Sequence, residues 1–323
     1  SNLAVVDVDA AVGNEPSVAF NRRFFMDDGS VAWNPGKLNP RIVGPAGGID
    51  PELGVVRFKT PGMGTAPGKI AALFLNFAVH LDNVGGAKIS ADVPGVIARR
   101  MEEVYGKGVT TLYATGCCGD VNHIDVKWGE RQGGPENAAR MGTILAAEAL
   151  RTFPKLKPVQ GTGLQVRRAI VKLPLAEVTS EQERKARDTV KRLQEKSKPA
   201  PAFAEQVDAF KTLDVLERRG KPWEVEVQTM TLGRSLAWVS LPGEIFVELG
   251  QMVKRESPYA VTMPVELANG AIGYIPSRRA YPQGAYEVIS ARCAAGSGEM
   301  LVEAAGKLLR ESYGTKRIAG NGQ

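Results

Sequence analysis

Residues 69–80 read KIAALFLNFAVH, an apolar run interrupted only by Asn76 and closed by His80. A run of this kind, bounded by turn material, reads as a buried strand. Residues 109–114 form a second such strand and end in the glycine-rich turn TGCCGD. Between them, DVPGVIARRMEEVYG at residues 92–106 predicts a helix, with Ser90 or Asp92 as its cap, Pro94 in the first turn and Gly106 at its end. An Ala-rich amphipathic helix follows at residues 135–152. Strand, helix, strand, helix in this order points to an α/β (α+β) class, with mixed β-sheets flanked by helices.

Outward from this unit the patterns vary. The chain opens on a short apolar strand and a loop. Residues 1–60 read as loop-rich, with NEPS, NPGKLNP, GPAGG and DPELG as turn material and a strand at 53–58. Residues 164–173 alternate as a strand. Two charged helices at 179–198 and 201–219, separated by KPAP, read as a helical hairpin inserted at 179–219, the first opening on a capping-box sequence at Thr179. Residues 223–232 and 235–241 predict a β-hairpin across Gly-Arg. A helix after Glu244, a strand at 261–267 and a closing helix at 299–311 complete a single domain over residues 1–323.

Composition excludes several classes. A hydrophobic fraction of 43% supports a sizeable core without a disulfide framework. The net charge of +6 arises largely in RRAIVK, ERKARDTVKRLQEK and LERRGK, where acids are interspersed. These are solvated faces, and no nucleic-acid partner is expected. Cys117, Cys118 and Cys293 have no CxxC spacing, so they read as small buried thiols. No transmembrane stretch and no signal peptide are visible.

Scarce polar residues gather at strand ends. The chain has two histidines, His80 and His123 in GCCGDVNHID. Glu244 follows a Pro-Gly turn in SLPGEIF. Tyr274 and Tyr286 lie twelve residues apart in NGAIGYIPSRRAYPQGAYE, residues 269–287, a Gly/Pro-punctuated tract that cannot be a regular helix. Each has a bland reading beside the functional one. His80 can be a hydrogen-bonded structural residue, Glu244 a helix N-terminal carboxylate, the tyrosines packing residues and Asp120 a turn former.

Taken together, six ordered motifs carry a resemblance: FNRR at 20–23, NFAVH at 76–80, ISADVPG at 89–95, GDVN at 119–122, LPGE at 241–244, and GYIP with AYE within 273–287. With them the chain resembles the neutral/alkaline (non-lysosomal) ceramidase family of zinc amidohydrolases. The resemblance implies a ceramidase-like catalytic domain, with His80, Glu244 and Tyr274 as zinc ligands. It also implies that Tyr286 contacts the reacting amide and that Arg22 lies near the substrate. The implied reaction is hydrolysis of a linear amide (N-acyl) bond by metal-activated water, on a small-molecule or lipid substrate, in a periplasmic or secreted protein.

Two departures qualify it. The family's His-x-His metal motif is absent, so an N-terminal segment of the same protein is an expected partner, and His123 is a candidate substitute ligand with Asp120 beside it. Asn122 stands where characterised members carry serine; it can hydrogen-bond to substrate but cannot be a nucleophile. The competing reading is a non-catalytic, degenerate binding protein with an incomplete metal site.

Overall fold

A computed structural model describes residues 4–62, 68–161 and 163–314. The first half of the chain runs β1 (Asp7–Asn14), β2 (Phe20–Asn21), β3 (Arg23–Met26), β4 (Val31–Trp33), β5 (Ile42–Pro45), β6 (Glu52–Lys59), β7 (Ile70–Phe77), α1 (Asp92–Tyr105), β8 (Thr110–Thr115), β9 (Val121–Asn122) and α2 (Pro135–Thr152). It continues through β10 (Lys157–Pro158), β11 (Leu164–Leu173), α3 (Ser180–Gln194), α4 (Phe203–Glu217), β12 (Trp223–Leu232) and β13 (Leu236–Ser240). Then come β14 (Glu244–Ile245), α5 (Val247–Glu256), β15 (Val261–Val265), β16 (Tyr274–Ile275), α6 (Tyr286–Ile289) and α7 (Ser297–Gly314). The class is mixed α/β, as the alternation of strand and helix patterns implies.

The opening run is the interior strand β7 of a five-stranded sheet ordered β10-β1-β6-β7-β8. It pairs antiparallel with β6 and parallel with β8. A parallel neighbour needs a long crossover, and α1 supplies it. Leu73, Leu75 and Phe77 are fully buried, packed with Ile97 and Met101 of α1 and Met141 and Leu145 of α2. Each such side chain contributes about 1.5–3 kcal/mol by leaving water.

A second sheet, β11-β12-β13-β15, buries Val225, Val227 and Val239 against Leu301, Ala305 and Leu309 of α7. Val56, Leu236 and Met263 join the two sheets, with Phe74 and Trp238 edge to face at 5.8 Å. The approach is close at Gly54, where a Cβ would fall 2.7 Å from the Met263 side chain.

Residues 1–60 differ from their loop-rich reading. They hold five strands besides β6, because turn-rich segments of two to eight residues pair with one another and, for β1 and β2, with strands farther along the chain. β1 pairs with β6, β2 with β9, and β3 lies between β4 and β5. Residues 1–3 lie outside the described ones; the first strand of the described chain is β1, at Asp7–Asn14.

The start of α1 also differs. Its N-cap is Ala91, with no side-chain cap bond. Asp92 has φ +45° and accepts from the Val84 N–H and the Asn83 amide, so its carboxylate secures the loop before the helix, while Ser90 Oγ and Asp92 Oδ1 accept from the first helical N–H groups, of Asp92 and Val93. The α3 capping box is formed, with Thr179 and Gln182 exchanging bonds. The tyrosine tract breaks into a short 3-10 helix (Arg278–Gln283) and the four-residue α6, separated at Gly284. Among the described residues no helix is long and apolar enough to cross a membrane.

Candidate functional site

Two very short pairings assemble a cluster of polar side chains at the edge of the core. β14 and β16 are parallel partners in the register Glu244 to Tyr274 and Ile245 to Ile275. Glu244 and Tyr274 are therefore side by side although thirty residues separate them. The GCCGD turn lies hard against this pair. A Cβ at Gly119 would fall 2.4 Å from the Glu244 carbonyl oxygen, so only glycine fits. β2 pairs with β9 directly after that turn, which brings Arg22 to the same place.

His80 follows the end of β7. Its Nδ1 is 2.9 Å from the Val121 carbonyl oxygen. A carbonyl only accepts, so Nδ1 carries the proton. Nε2 then faces Glu244 Oε2 at 3.2 Å and Arg22 Nη1 at 3.2 Å. Burial is the largest influence and disfavours the imidazolium, but the Glu244 hydrogen bond together with the Glu266 and Asp82 charges outweighs it, and the His80 pKa is raised. Burial likewise opposes the Glu244 carboxylate; bonds from His80 and Tyr274 and the charges of His80 and Arg22 hold its pKa below the usual value. The Tyr274 phenol is pushed up by burial and by the Glu244 charge, so it stays protonated.

Arg22 is 4% exposed. Its Nε donates to Glu287 Oε1 at 2.8 Å, and its Nη2 to the Gly119 carbonyl at 2.8 Å. The guanidinium lies 5.3 Å from the Tyr274 ring centroid. Tyr286 closes the opposite side. Its ring is 5.5 Å from Tyr274, 4.6 Å from Trp33 and 6.0 Å from Phe203, the first residue of α4. The helix turn that presents Tyr286 follows Ala285 at φ +67°, ψ 176°, a conformation that costs a non-glycine residue about 1–3 kcal/mol.

His80, Glu244, Tyr274, Arg22 and Tyr286 are thus brought together from five segments. The side chains of the remaining sequence candidates bond elsewhere, although the Arg22 N–H donates to the Asp120 carbonyl at 2.9 Å. Asp120 is buried, accepts from the Asn21 amide at 2.8 Å and from the Val247 N–H at the start of α5 at 2.8 Å, and has its pKa raised by burial. Asn122 donates to Asn34 and accepts from the Ile124 N–H. His123 is buried, with Nε2 3.1 Å from the Gln132 carbonyl and Nδ1 3.0 Å from Asp82 Oδ1. It makes no contact with His80 among these bonds.

Four neighbours carried no role in the sequence reading. Glu287 and Trp33 hold Arg22 and Tyr286, and Asp82 bridges towards His123. Glu266 is buried beneath the cluster, where its Oε2 accepts from the Cys118 and Ile245 N–H groups, each at 3.0 Å, and its Oε1 from the Cys118 thiol at 2.9 Å. Burial pushes its pKa up to about 7. Only Glu287 had a signal in the sequence, through its place in AYE; the other three depend on contacts that local pattern does not encode.

The zinc ion implied by the resemblance can be tested against these atoms. With Nδ1–H spent on Val121, a neutral His80 points a lone pair at a carboxylate oxygen, an arrangement that either a second ring proton or a cation between them relieves. His80 Nε2, Glu244 and the Tyr274 phenol make an N,O,O donor set of the kind that holds zinc and leaves a position for water. The hydrogen bond from His80 Nδ1 to a carbonyl is the usual support for such a ligand. These residues fit as three donors only with the phenol included. Among the described residues no group of three or more His, Cys, Asp and Glu side chains is placed to hold a metal ion.

Comparison with solved structures assigns the fold. The neutral ceramidase from Pseudomonas aeruginosa superposes with a TM-score of 0.65 at 20% identity, covering 98% of this chain and 54% of that one. A ceramidase complexed with C2 gives the same TM-score at 19% identity, covering 98% of this chain and 56% of that one. The chain thus has a ceramidase-like fold and spans about half the length of these proteins. No known family profile matches the chain. No curated protein matches it either.

Proposed function

We propose that this chain belongs to a zinc-dependent hydrolase of linear N-acyl (amide) bonds, acting on a ceramide-like or other small N-acyl substrate. The observation that carries the reading is the convergence of His80, Glu244 and Tyr274 with Arg22 and Tyr286 within a fold shared with ceramidases. His80, Glu244 and Tyr274 would hold the metal. When bound, zinc would acidify a water and polarise the acyl carbonyl.

The chain's own residues do the rest. Arg22 Nη1 is the part of the guanidinium that faces the reacting region, and it donates to the oxygen on which negative charge develops. The Tyr286 phenol is the second donor. Its pKa is raised by burial and by the Glu244 charge, so it keeps its proton at neutral pH. Trp33 and Phe203, on the Tyr286 ring, offer an apolar surface to the acyl group. Asn122, bonded to Asn34, borders this region through its strand pairing with Phe20 and orients substrate by hydrogen bonding. A periplasmic or secreted location accords with the ceramidase-like fold.

The test is elemental analysis of the purified protein alongside an assay of N-acyl amides. About one zinc per chain, lost in His80→Ala and Glu244→Gln together with activity, is the expected result. Activity that survives both substitutions would sink the proposal.

A second reading is a non-catalytic binding protein of the same fold. It is favoured by Arg22 Nη1, whose N–H is directed at the Nε2 lone pair that a metal would use. Protein that takes up no zinc after incubation with the metal, and hydrolyses nothing, would support it.

A further inference from the structure

We infer that Glu287 is a positioning residue which orients both Arg22 and Tyr286 for the proposed hydrolysis. The inference rests on that reading of the site. Glu287 is 0% exposed, and its carboxylate is divided between two adjacent arginines. Oε1 accepts from Arg22 Nε at 2.8 Å, and Oε2 from Arg23 Nη1 at 2.9 Å. Arg23 is also buried, and donates further to the Gly284 carbonyl at 3.0 Å and to Gln283 Oε1 at 3.2 Å.

The sequence positions explain what this accomplishes. Arg22 and Arg23 lead into β3, while Tyr286 and Glu287 open α6. One carboxylate thus ties the strand bearing the guanidinium to the helical turn bearing the phenol. A guanidinium is a rigid planar fork. Fixing Nε on Glu287 and Nη2 on Gly119 fixes the direction of Nη1, which lies 3.2 Å from His80 Nε2. On the other side, Arg23 grips the carbonyl of Gly284 and the carboxylate of Glu287, on either side of Ala285 and Tyr286. The strained backbone at Ala285 is therefore held from both ends.

Charge requires such a partner as well. A buried unpaired guanidinium is strongly disfavoured. Burial alone would lower the Arg22 pKa, and the Glu287 charge, followed by Tyr274, raises it instead. Glu287 thereby offsets a positive charge that would otherwise repel a cation at His80 and Glu244. Arg23 shares the carboxylate without facing His80, which makes it the anchor and Arg22 the working group.

The experiment is a double-mutant cycle on the full chain. Glu287→Gln keeps the shape and one acceptor. Its expected effect is a fall in kcat of about 10–100-fold with KM changed by no more than about threefold. In an Arg22→Ala, Tyr286→Phe background the same substitution should cost less than about twofold, since both groups it acts through are already removed. A merely structural role would give the same fold-loss in both backgrounds, and that result, or wild-type kcat in Glu287→Gln, overturns the inference. Should Glu287→Gln not fold, the charge-balanced pair Arg23→Gln with Glu287→Gln takes its place in the cycle, with the same outcomes.

A second readout separates this inference from the hydrolase reading. In protein labelled with 15N-arginine, the Arg22 Nε–H should give a distinct, slowly exchanging signal that Glu287→Ala, which removes both acceptor oxygens, abolishes. Wild-type protein that hydrolyses no N-acyl amide refutes the hydrolase reading. The signal then decides the orienting role by itself, and its persistence in Glu287→Ala overturns it.

Discussion

The α3–α4 hairpin and the cluster around Arg22 use the same chemistry, guanidinium against carboxylate, in opposite surroundings. On α3, Arg187 meets Glu183 one turn away with both side chains in water, at 64% and 38% exposure. In the cluster, Arg22 and Arg23 meet Glu287 across some 265 residues of chain, with all three buried. An exposed pair forms and breaks at little cost because water replaces either partner. A buried one cannot lose a member without leaving a charge unsolvated. The hairpin's pairs are therefore dispensable, whereas the cluster's arrangement is obligatory, and substitutions in the two regions should differ by an order of magnitude in free energy.

The largest effect is expected at Arg23. Arg23→Met removes the bonds to Glu287, Gln283 and Gly284 together, and leaves Glu287 with one partner. A loss of about 3–5 kcal/mol is expected in denaturant unfolding. A loss below about 1 kcal/mol would place this triad with the surface pairs and break the comparison.

Glu266 comes next, as a buried carboxyl with no cationic partner bonded to it. Its pKa in the folded protein is pushed up to about 7, from 4.5, by burial. A raised carboxyl pKa means the folded state holds the proton more tightly. The stability it contributes is complete below about pH 4.5 and is lost as pH rises through about 7. The full excursion is about 3 kcal/mol. Glu266→Gln keeps an acceptor for the Cys118 and Ile245 N–H groups and cannot ionise. Stability measured from pH 4.5 to 8 should therefore fall less in Glu266→Gln than in wild type. Equal slopes would mean that Glu266 does not titrate in this window.

What the sequence made legible divides along the same line. The strand at 70–77, the helix at 135–152 and the hairpin strands at 223–232 and 236–240 are local patterns, read from periodicity and turn residues. The meeting of His80, Glu244, Tyr274, Arg22 and Tyr286 was approached through ordered motifs, not through any local signal. The burial of Glu287 and Glu266 was not legible, because an acidic residue has the same letter whether it is solvated or shared by two arginines. The strands within residues 1–60 escaped for a related reason: β2 is two residues long and exists only because β9, a hundred residues later, pairs with it. Ser90 and Asp92 were plausible caps by type, and each accepts from a first helical N–H, yet Asp92 also turns its carboxylate back to Val84.

Ala285 offers a smaller and opposite test. Its φ of +67° with an extended ψ is a region that glycine occupies freely. Ala285→Gly relieves about 1–3 kcal/mol of strain but gives the unfolded chain about 0.5–1 kcal/mol more entropy to lose. A net gain of about 1 kcal/mol in stability is expected. A loss instead would mean that the Glu287 and Arg23 contacts do not hold this turn against any strain.

The smallest effect belongs to the hairpin. Glu183→Gln removes the charge from its pair with Arg187, four residues along the exposed face of α3. Such pairs contribute about 0.3–0.5 kcal/mol at low ionic strength. Because both groups face water, salt screens the attraction, and at about 1 M the Debye length is near 3 Å. Thermal unfolding of wild type and Glu183→Gln should therefore differ slightly in dilute buffer and coincide at high salt, whereas the Arg23→Met deficit should persist at both. A Glu183→Gln deficit that survives high salt would mean that solvent does not reach this pair as its exposure implies. The contrast between the hairpin and the Arg22 cluster would then have to rest on geometry alone.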